Sequence, residues 1–294
     1  MTREVSVSAY YWINRWNRDQ AEVFRIASDC GFDGIEVSLY AQPDIDPAAM
    51  RAKAESCGLE ILVSTGVPAE ADPSSESPST RDAAVAYLTD CLQMTADMGA
   101  SLLGGLTYSP WMLFPDGADP IGARERVVET LRKVGPVAER LGVVLCLEPV
   151  NRFETYVLNT AEQGAAMIDA IGSAAVSLQL DTFHLNMEER DAAASIRSTG
   201  SRLGHFQVAD NDRSVPGKGS IDFASIGQAL DDIAYEGWIG LETFPHPGTE
   251  VGNDTFTWRP LVADHEDDAR EALVLIRNLL CGPVNVSDGV TGDG

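Results

Sequence analysis

Four residues with oxygen-bearing side chains, Glu148, Asp181, Gln207 and Glu242, each stand at the end of a short apolar run, and the gaps between them are 33, 26 and 35 residues. A carboxylate at the end of one such run is ordinarily a solvated acid. Four in succession, spaced by about one strand-and-helix unit, form a pattern that reading does not explain. Three carboxylates gathered at one point cannot all stay ionised without a cation, because like charges raise one another's pKa. A divalent metal resolves that conflict. Three carboxylates and an amide oxygen are hard ligands, which favours Mn2+, with Mg2+ or Co2+ also suited, over a thiolate-seeking ion.

The elements that must position these residues alternate regularly. Strands are expected at Val5–Tyr10, Gly34–Ser38, Glu60–Thr65, Ser101–Leu106, Val143–Glu148, Val176–Asp181, Leu203–Val208 and Trp238–Glu242. Runs such as Val143-Val144-Leu145-Cys146-Leu147 suit strands covered on both faces, as in parallel sheets. Helices are expected at Ala21–Cys30, Asp46–Cys57, Arg81–Met98, Arg124–Leu141, Thr160–Ile171 and Phe223–Tyr235, most of them followed by a glycine able to make the closing left-handed turn. Thr160 and Gln163 have capping-box spacing, and Pro136 is expected to kink or break its helix.

Eight such β-then-α units in one chain predict a (β/α)8 TIM barrel over residues 1–281, with a Gly- and Asp-rich tail, 282–294, expected to be disordered. A doubly wound open sheet fits less well, because the first strand runs into Tyr10-Tyr11-Trp12 rather than a glycine-rich turn. Barrel chemistry sits at the carboxyl ends of the strands, where the four oxygen-bearing residues fall. Gln179 and His205 share the inward parity of Asp181 and Gln207 and are expected one layer below them.

Composition narrows the partners. With 21 basic and 45 acidic side chains the 294-residue chain carries a formal charge of −24, which opposes nucleic acid and anionic membrane surfaces. No apolar run is long enough to span a bilayer, and Met1-Thr2-Arg3-Glu4-Val5-Ser6 does not open a secretory signal. The five cysteines are scattered with no CxxC pair, so they are expected to be free, apolar in behaviour and housed in a reducing cytoplasm.

Longer motifs carry a resemblance. Glu148-Pro149-Val150-Asn151-Arg152-Phe153-Glu154, Leu180-Asp181-Thr182-Phe183-His184-Leu185-Asn186, Gly204-His205-Phe206-Gln207, Asn211-Asp212-Arg213 with Val215-Pro216-Gly217-Lys218-Gly219, and Leu241-Glu242-Thr243-Phe244 resemble the ketose 3-epimerases (the D-tagatose/D-allulose 3-epimerase family) within the xylose-isomerase-like barrels. Gly31-Phe32-Asp33-Gly34-Ile35-Glu36-Val37-Ser38 and Gly105-Leu106-Thr107-Tyr108-Ser109-Pro110-Trp111 fit as well, so the likeness spans all but the tail. The resemblance implies that Glu148, Asp181, Gln207 and Glu242 are metal ligands and that Glu148 and Glu242 are also the catalytic acid/base pair. It implies that Glu154, His184 and Arg213 hold the ketose O1 and O2, that Trp111 is an aromatic wall, and that the protein is a homodimer or homotetramer acting on a small sugar.

Two positions depart from that pattern. Gln207 stands where the epimerases usually have His, and resembles hydroxypyruvate isomerases instead. Ser8 stands where they often carry an aromatic residue, leaving a wider or more polar pocket. The expected activity is epimerisation of a free ketose at C3, in which a metal stabilises an enediolate and two carboxylates on opposite faces exchange the proton. The competing readings are a hydroxypyruvate-isomerase-type aldose–ketose isomerase, a lyase on 3-oxo-glycosides (C-glycoside deglycosidase type) and a non-catalytic sugar-binding barrel. An endonuclease of the same fold needs a His-rich multi-zinc site, and this chain has four histidines.

Overall fold

The computed structural model describes residues 3–16, 21–41 and 44–282. Of the tail expected to be disordered, 282–294, all but Gly282 lies outside the described residues. Eight parallel strands close into a barrel in sequence order: β1 (Val5–Ser8), β2 (Gly34–Ser38), β3 (Glu60–Ser64), β4 (Leu102–Gly104), β5 (Val144–Leu147), β6 (Val176–Asp181), β7 (Leu203–Val208) and β8 (Ile239–Leu241). The seam pairs the first strand with the last, Val7 opposite Leu241. All eight expected strands are present. β5 and β8 stop one residue earlier than expected, so Glu148 and Glu242 stand just past the ladder at its carboxyl rim.

Around the barrel run α1 (Glu22–Cys30), α2 (Pro47–Cys57), α3 (Pro78–Asp97), α4 (Pro120–Leu141), α5 (Ala161–Ile171), α6 (Thr182–Glu188), α7 (Ala192–Thr199), α8 (Phe223–Asp232), α9 (Glu250–Asp254) and α10 (His265–Leu280). The starts of α2 and α4 are set by Asp46 and Asp119, whose carboxylates accept backbone N–H bonds ahead of a proline at the first helical turn. That explains why α4 begins at Pro120 rather than at Arg124. α4 then passes through Pro136 without a break. α8 ends at Asp232, short of Tyr235, and Ala234 with φ 52° makes the left-handed turn expected of Gly237. At α5 the Thr160 hydroxyl accepts from Gln163 N (3.2 Å), while the Gln163 amide oxygen accepts from Asn159 N (2.9 Å), a capping box displaced by one residue.

Strand parity separates two environments. Val5 and Val7, Ile35 and Val37, and Leu145 and Leu147 face outward and pack under the helices as one apolar layer. Ser6 and Ser8, Glu36 and Ser38, Gln179 and Asp181, and His205 and Gln207 take the opposite parity and fill the interior with buried polar groups. The β6–β7 ladder shifts register after Leu178, so that Gln179 pairs with His205 and Asp181 with Gln207. Gly204 is the extra residue at that shift, and a Cβ there would meet Ser177 Cβ at 2.6 Å. The bulge needs glycine for its close approach, and it brings the two oxygen-bearing residues level.

The five cysteines are free; Cys30, Cys91, Cys146 and Cys281 are buried, whereas Cys57 is half-buried and departs from the expectation that all five are buried. Among the described residues no helix is long and apolar enough to cross a membrane.

Candidate active site

A cavity of about 190 Å3 opens at the carboxyl end of the barrel. It is smaller than the roughly 300–1,000 Å3 typical of drug-sized ligand sites, so it suits a small molecule. Glu148, Glu154, His184, Arg213, Glu242 and Trp111 all line it.

Glu148, Asp181 and Glu242 each place a carboxylate oxygen within 4.8 Å of the other two, as a shared cation requires. Glu148 is 6% exposed and Asp181 fully buried. Burial raises the pKa of Glu148 well above the usual carboxylate range, and the nearby charges of Glu242 and Asp181 raise it further. Burial likewise raises that of Glu242, against the opposing pull of Arg213. Glu148 Oε1 is buried and accepts no hydrogen bond. An orphaned oxygen in a cluster of three carboxylates fits a hard divalent cation.

Gln207 stands beside them with its amide oriented by a chain of hydrogen bonds. Gly105 N donates to Gln179 Oε1 (3.1 Å), and Gln179 Nε2 donates to Gln207 Oε1 (2.6 Å). The Gln207 Nε2 therefore faces Glu36 Oε2 (3.0 Å) and Glu242 Oε1 (3.4 Å). Service as an oxygen ligand requires this amide to turn over and to give up Gln179. Gln179 and His205 lie buried below, as parity predicts, and His205 Nε2 is 3.7 Å from Glu36.

Arg213 is held between the carboxylates, Nη1 donating to Asp181 Oδ2 and Nη2 to Glu242 Oε2, both at 2.8 Å. Its guanidinium carbon lies 4.5 Å from the Phe183 ring centroid and 5.2 Å from that of Phe244. Burial opposes its charge, but Asp181 and Glu242 outweigh that and raise its pKa above the ordinary value. The backbone that delivers it is unusual. Arg213 has φ 66°, and the loop around it is wound on the buried Asp210, whose carboxylate accepts N–H bonds from Asn211, Gly217 and Gly219 at 2.9 Å and from Ile221 at 3.2 Å.

His184 Nδ1 accepts from Asn151 N (3.2 Å), so the neutral ring carries its proton on Nε2, which points at Glu148 Oε1 from 3.7 Å. Burial lowers the His184 pKa and keeps the ring neutral. Glu154 is fixed from both sides, Oε1 by Asn151 Nδ2 (2.7 Å) and Oε2 by Trp111 Nε1 (3.0 Å). Trp111 is thus both wall and anchor.

Sequence reasoning missed Glu36. It is 4% exposed, lines the cavity and reaches Gln207. The signal was a lone carboxylate inside the apolar strand Gly34-Ile35-Glu36-Val37-Ser38, on its inward parity.

The model of the xylose isomerase-like TIM barrel family matches residues 24–279. The chain is 37% identical over 268 residues to the D-psicose 3-epimerase of Ruminiclostridium cellulolyticum, covering 89% of this chain and 92% of that one. It is 34% identical to the L-ribulose 3-epimerase of Mesorhizobium japonicum over 84% of each. The solved D-psicose 3-epimerase from Clostridium cellulolyticum H10 with D-tagatose superposes with a TM-score of 0.88 at 35% identity, covering 94% of this chain and 99% of that one. The fold is that of a xylose isomerase-like barrel. The chain belongs to the xylose isomerase-like TIM barrels and, within them, to the ketose 3-epimerase family of isomerases.

Proposed function

We propose that the protein is a metal-dependent epimerase that inverts C3 of a free ketose. The observation that carries this reading is the convergence of Glu148, Asp181 and Glu242 on one point, with Glu148 Oε1 buried and unpartnered. Glu148, Asp181 and Glu242 hold the cation, with Gln207 as fourth ligand once its amide turns over. A divalent ion there, with Mn2+ preferred over Mg2+ or Co2+, supplies Lewis acidity for the negative charge that develops on the carbonyl oxygen as the C3 proton leaves.

The chain's own groups do the rest. Glu148 and Glu242 rise from β5 and β8 and flank the space between them, one removing the C3 proton and the other returning one to the opposite face. His184, with Nε2–H directed into the cavity, donates to a substrate oxygen. Arg213 and Glu154 fix O1 and O2, and Trp111 holds Glu154 in place while covering the sugar. The Phe183 and Phe244 rings on either side of Arg213 keep water from its charge.

Gln207 favours a second reading, an aldose–ketose isomerase of hydroxypyruvate-isomerase type that moves the proton between C1 and C2. Incubation with ketohexoses and ketopentoses in D2O with Mn2+, read by NMR, separates the two. Deuterium entering at C3 supports epimerisation, and entry at C1 or C2 supports isomerisation. Absence of exchange with every free sugar would favour a lyase on 3-oxo-glycosides.

A further inference from the structure

Every polar atom of Asn151 is in use. The residue follows β5 by the run Glu148-Pro149-Val150 and is 2% exposed. Its carbonyl oxygen accepts from Glu154 N (2.9 Å) and Thr155 N (3.3 Å), which turns the chain back after the strand. Its side-chain oxygen accepts from Phe153 N (3.0 Å). A backbone N–H can only donate, so that bond fixes which way the amide faces. Nδ2 is thereby directed at Glu154 Oε1 (2.7 Å) and His184 Nδ1 (3.0 Å).

The His184 ring is addressed twice. The backbone N of Asn151 (3.2 Å) and its Nδ2 both donate to Nδ1, so Nδ1 is the acceptor and the ring proton stays on Nε2. Glu154 Oε1 takes one bond from Nδ2 and keeps a second acceptor site, while Trp111 Nε1 holds Oε2 (3.0 Å). Both side chains line the catalytic cavity. One therefore offers it a donor and the other an acceptor. The end of a ketose carries the complementary pair, because the carbonyl oxygen O2 only accepts and the neighbouring O1 hydroxyl can donate.

We propose that Asn151 is a positioning residue for the reaction. It sets the hydrogen-bonding sense of His184 and Glu154 together, so that the two read a hydroxyl beside a carbonyl. Asn151 does not line that cavity and acts only through these neighbours. This rests on the epimerase reading, which brings the O1–O2 end of the sugar to His184 and Glu154.

Asn151→Asp isolates the role. It keeps the side-chain oxygen that accepts from Phe153 N, and with it the turn, but puts an acceptor where Nδ2 donates. The full chain, loaded with diamagnetic Mg2+ and labelled with 15N, has its histidine rings read by NMR at one pH, with His184 assigned by its absence in His184→Gln. Calorimetric titration of the same protein with a ketohexose and its 1-deoxy analogue measures the binding of O1. In the parent chain Nδ1 should show the shift of an unprotonated nitrogen and Nε2 that of a protonated one. In Asn151→Asp, Nδ1 should take the protonated shift. Ketohexose affinity should fall about tenfold in the variant, the worth of one hydrogen bond to a charged group, and the preference over the 1-deoxy sugar should shrink by about the same factor. An unchanged His184 signature in the variant, or a lowered melting temperature with the sugar preference intact, overturns the proposal. A changed signature in a protein that binds neither sugar would overturn the epimerase reading and leave the positioning role of Asn151 standing.

Discussion

Glu148 Oε1 and His184 Nε2 lie 3.7 Å apart, and the carboxylate oxygen has no hydrogen-bond partner while the imidazole proton points toward it. At that separation no atom fits between them, so a substrate oxygen would sit beside the pair, within reach of both the acceptor and the donor. The proposed mechanism needs Glu148 to act as a base at neutral pH. Yet burial and its acidic neighbours favour its protonated form.

Glu148→Gln and Glu242→Gln should each lower C3 exchange by about 10²–10⁴-fold, the usual worth of general acid–base catalysis. Each keeps the shape of the side chain, so the far-ultraviolet circular dichroism should be unchanged. Near-wild-type exchange in both variants would remove the two-carboxylate mechanism.

Metal removal should destabilise the protein more as pH rises. The folded-state pKa values of Glu148 and Glu242 lie above their ordinary value of 4.5, so above that pH the folded apoprotein binds more protons than the unfolded chain. Its stability therefore falls with rising pH until the folded pKa values are passed. A bound cation holds the same groups ionised and cancels that slope. The difference in melting temperature between Mn2+-loaded and EDTA-treated protein should widen from pH 5 to pH 8. A constant difference would mean that the carboxylates are not the metal site.

Arg213→Met removes the cation shared by Asp181 and Glu242 and leaves both carboxylates buried. Breaking such a buried pair costs about 3–5 kcal/mol. The apoprotein should lose that much in urea unfolding, and saturating Mn2+ should recover part of it. Equal loss with and without metal would show that Arg213 and the cation do not share the carboxylates.

Gln207→Leu should weaken Mn2+ binding by about tenfold, as loss of a group in or around a metal's ligand set commonly does. Gln179→Leu should act in the opposite sense and tighten it, by releasing the Gln207 amide oxygen from its present bond. Unchanged affinity in Gln207→Leu would leave this residue as a donor to Glu242 rather than a ligand.

The fold was legible because each strand is a short apolar run and each of the six expected helices forms, five of them closing on a left-handed glycine such as Gly58 (φ 69°) or Gly142 (φ 67°). α6 was not legible. It is seven residues long and starts from Asp181, whose Oδ1 caps it by accepting from Phe183 N, so it has no room for a periodic signal. α10 did carry its period in Ala269, Ala272, Leu273, Ile276 and Leu280, but it follows a long irregular stretch after β8 that gave no unit boundary. The carboxylates could be placed because strand ends converge in a barrel. The orientation of Gln207 could not, because it depends on Gly105 and Gln179, which lie far from it along the chain. Glu36 escaped for the related reason that its partners are on other strands.

The β1–β8 seam sets Val7 against Leu241, with Ser8 one step beyond the first and Glu242 one step beyond the second. The two extremities of the barrel's strand order thus meet as neighbours at the rim of the cavity. A fragment that ends before β8 would carry Glu148 and Asp181 without Glu242. Catalysis and ring closure must therefore arise together during folding, and any lesion that opens the seam should silence the enzyme before it unravels the rest.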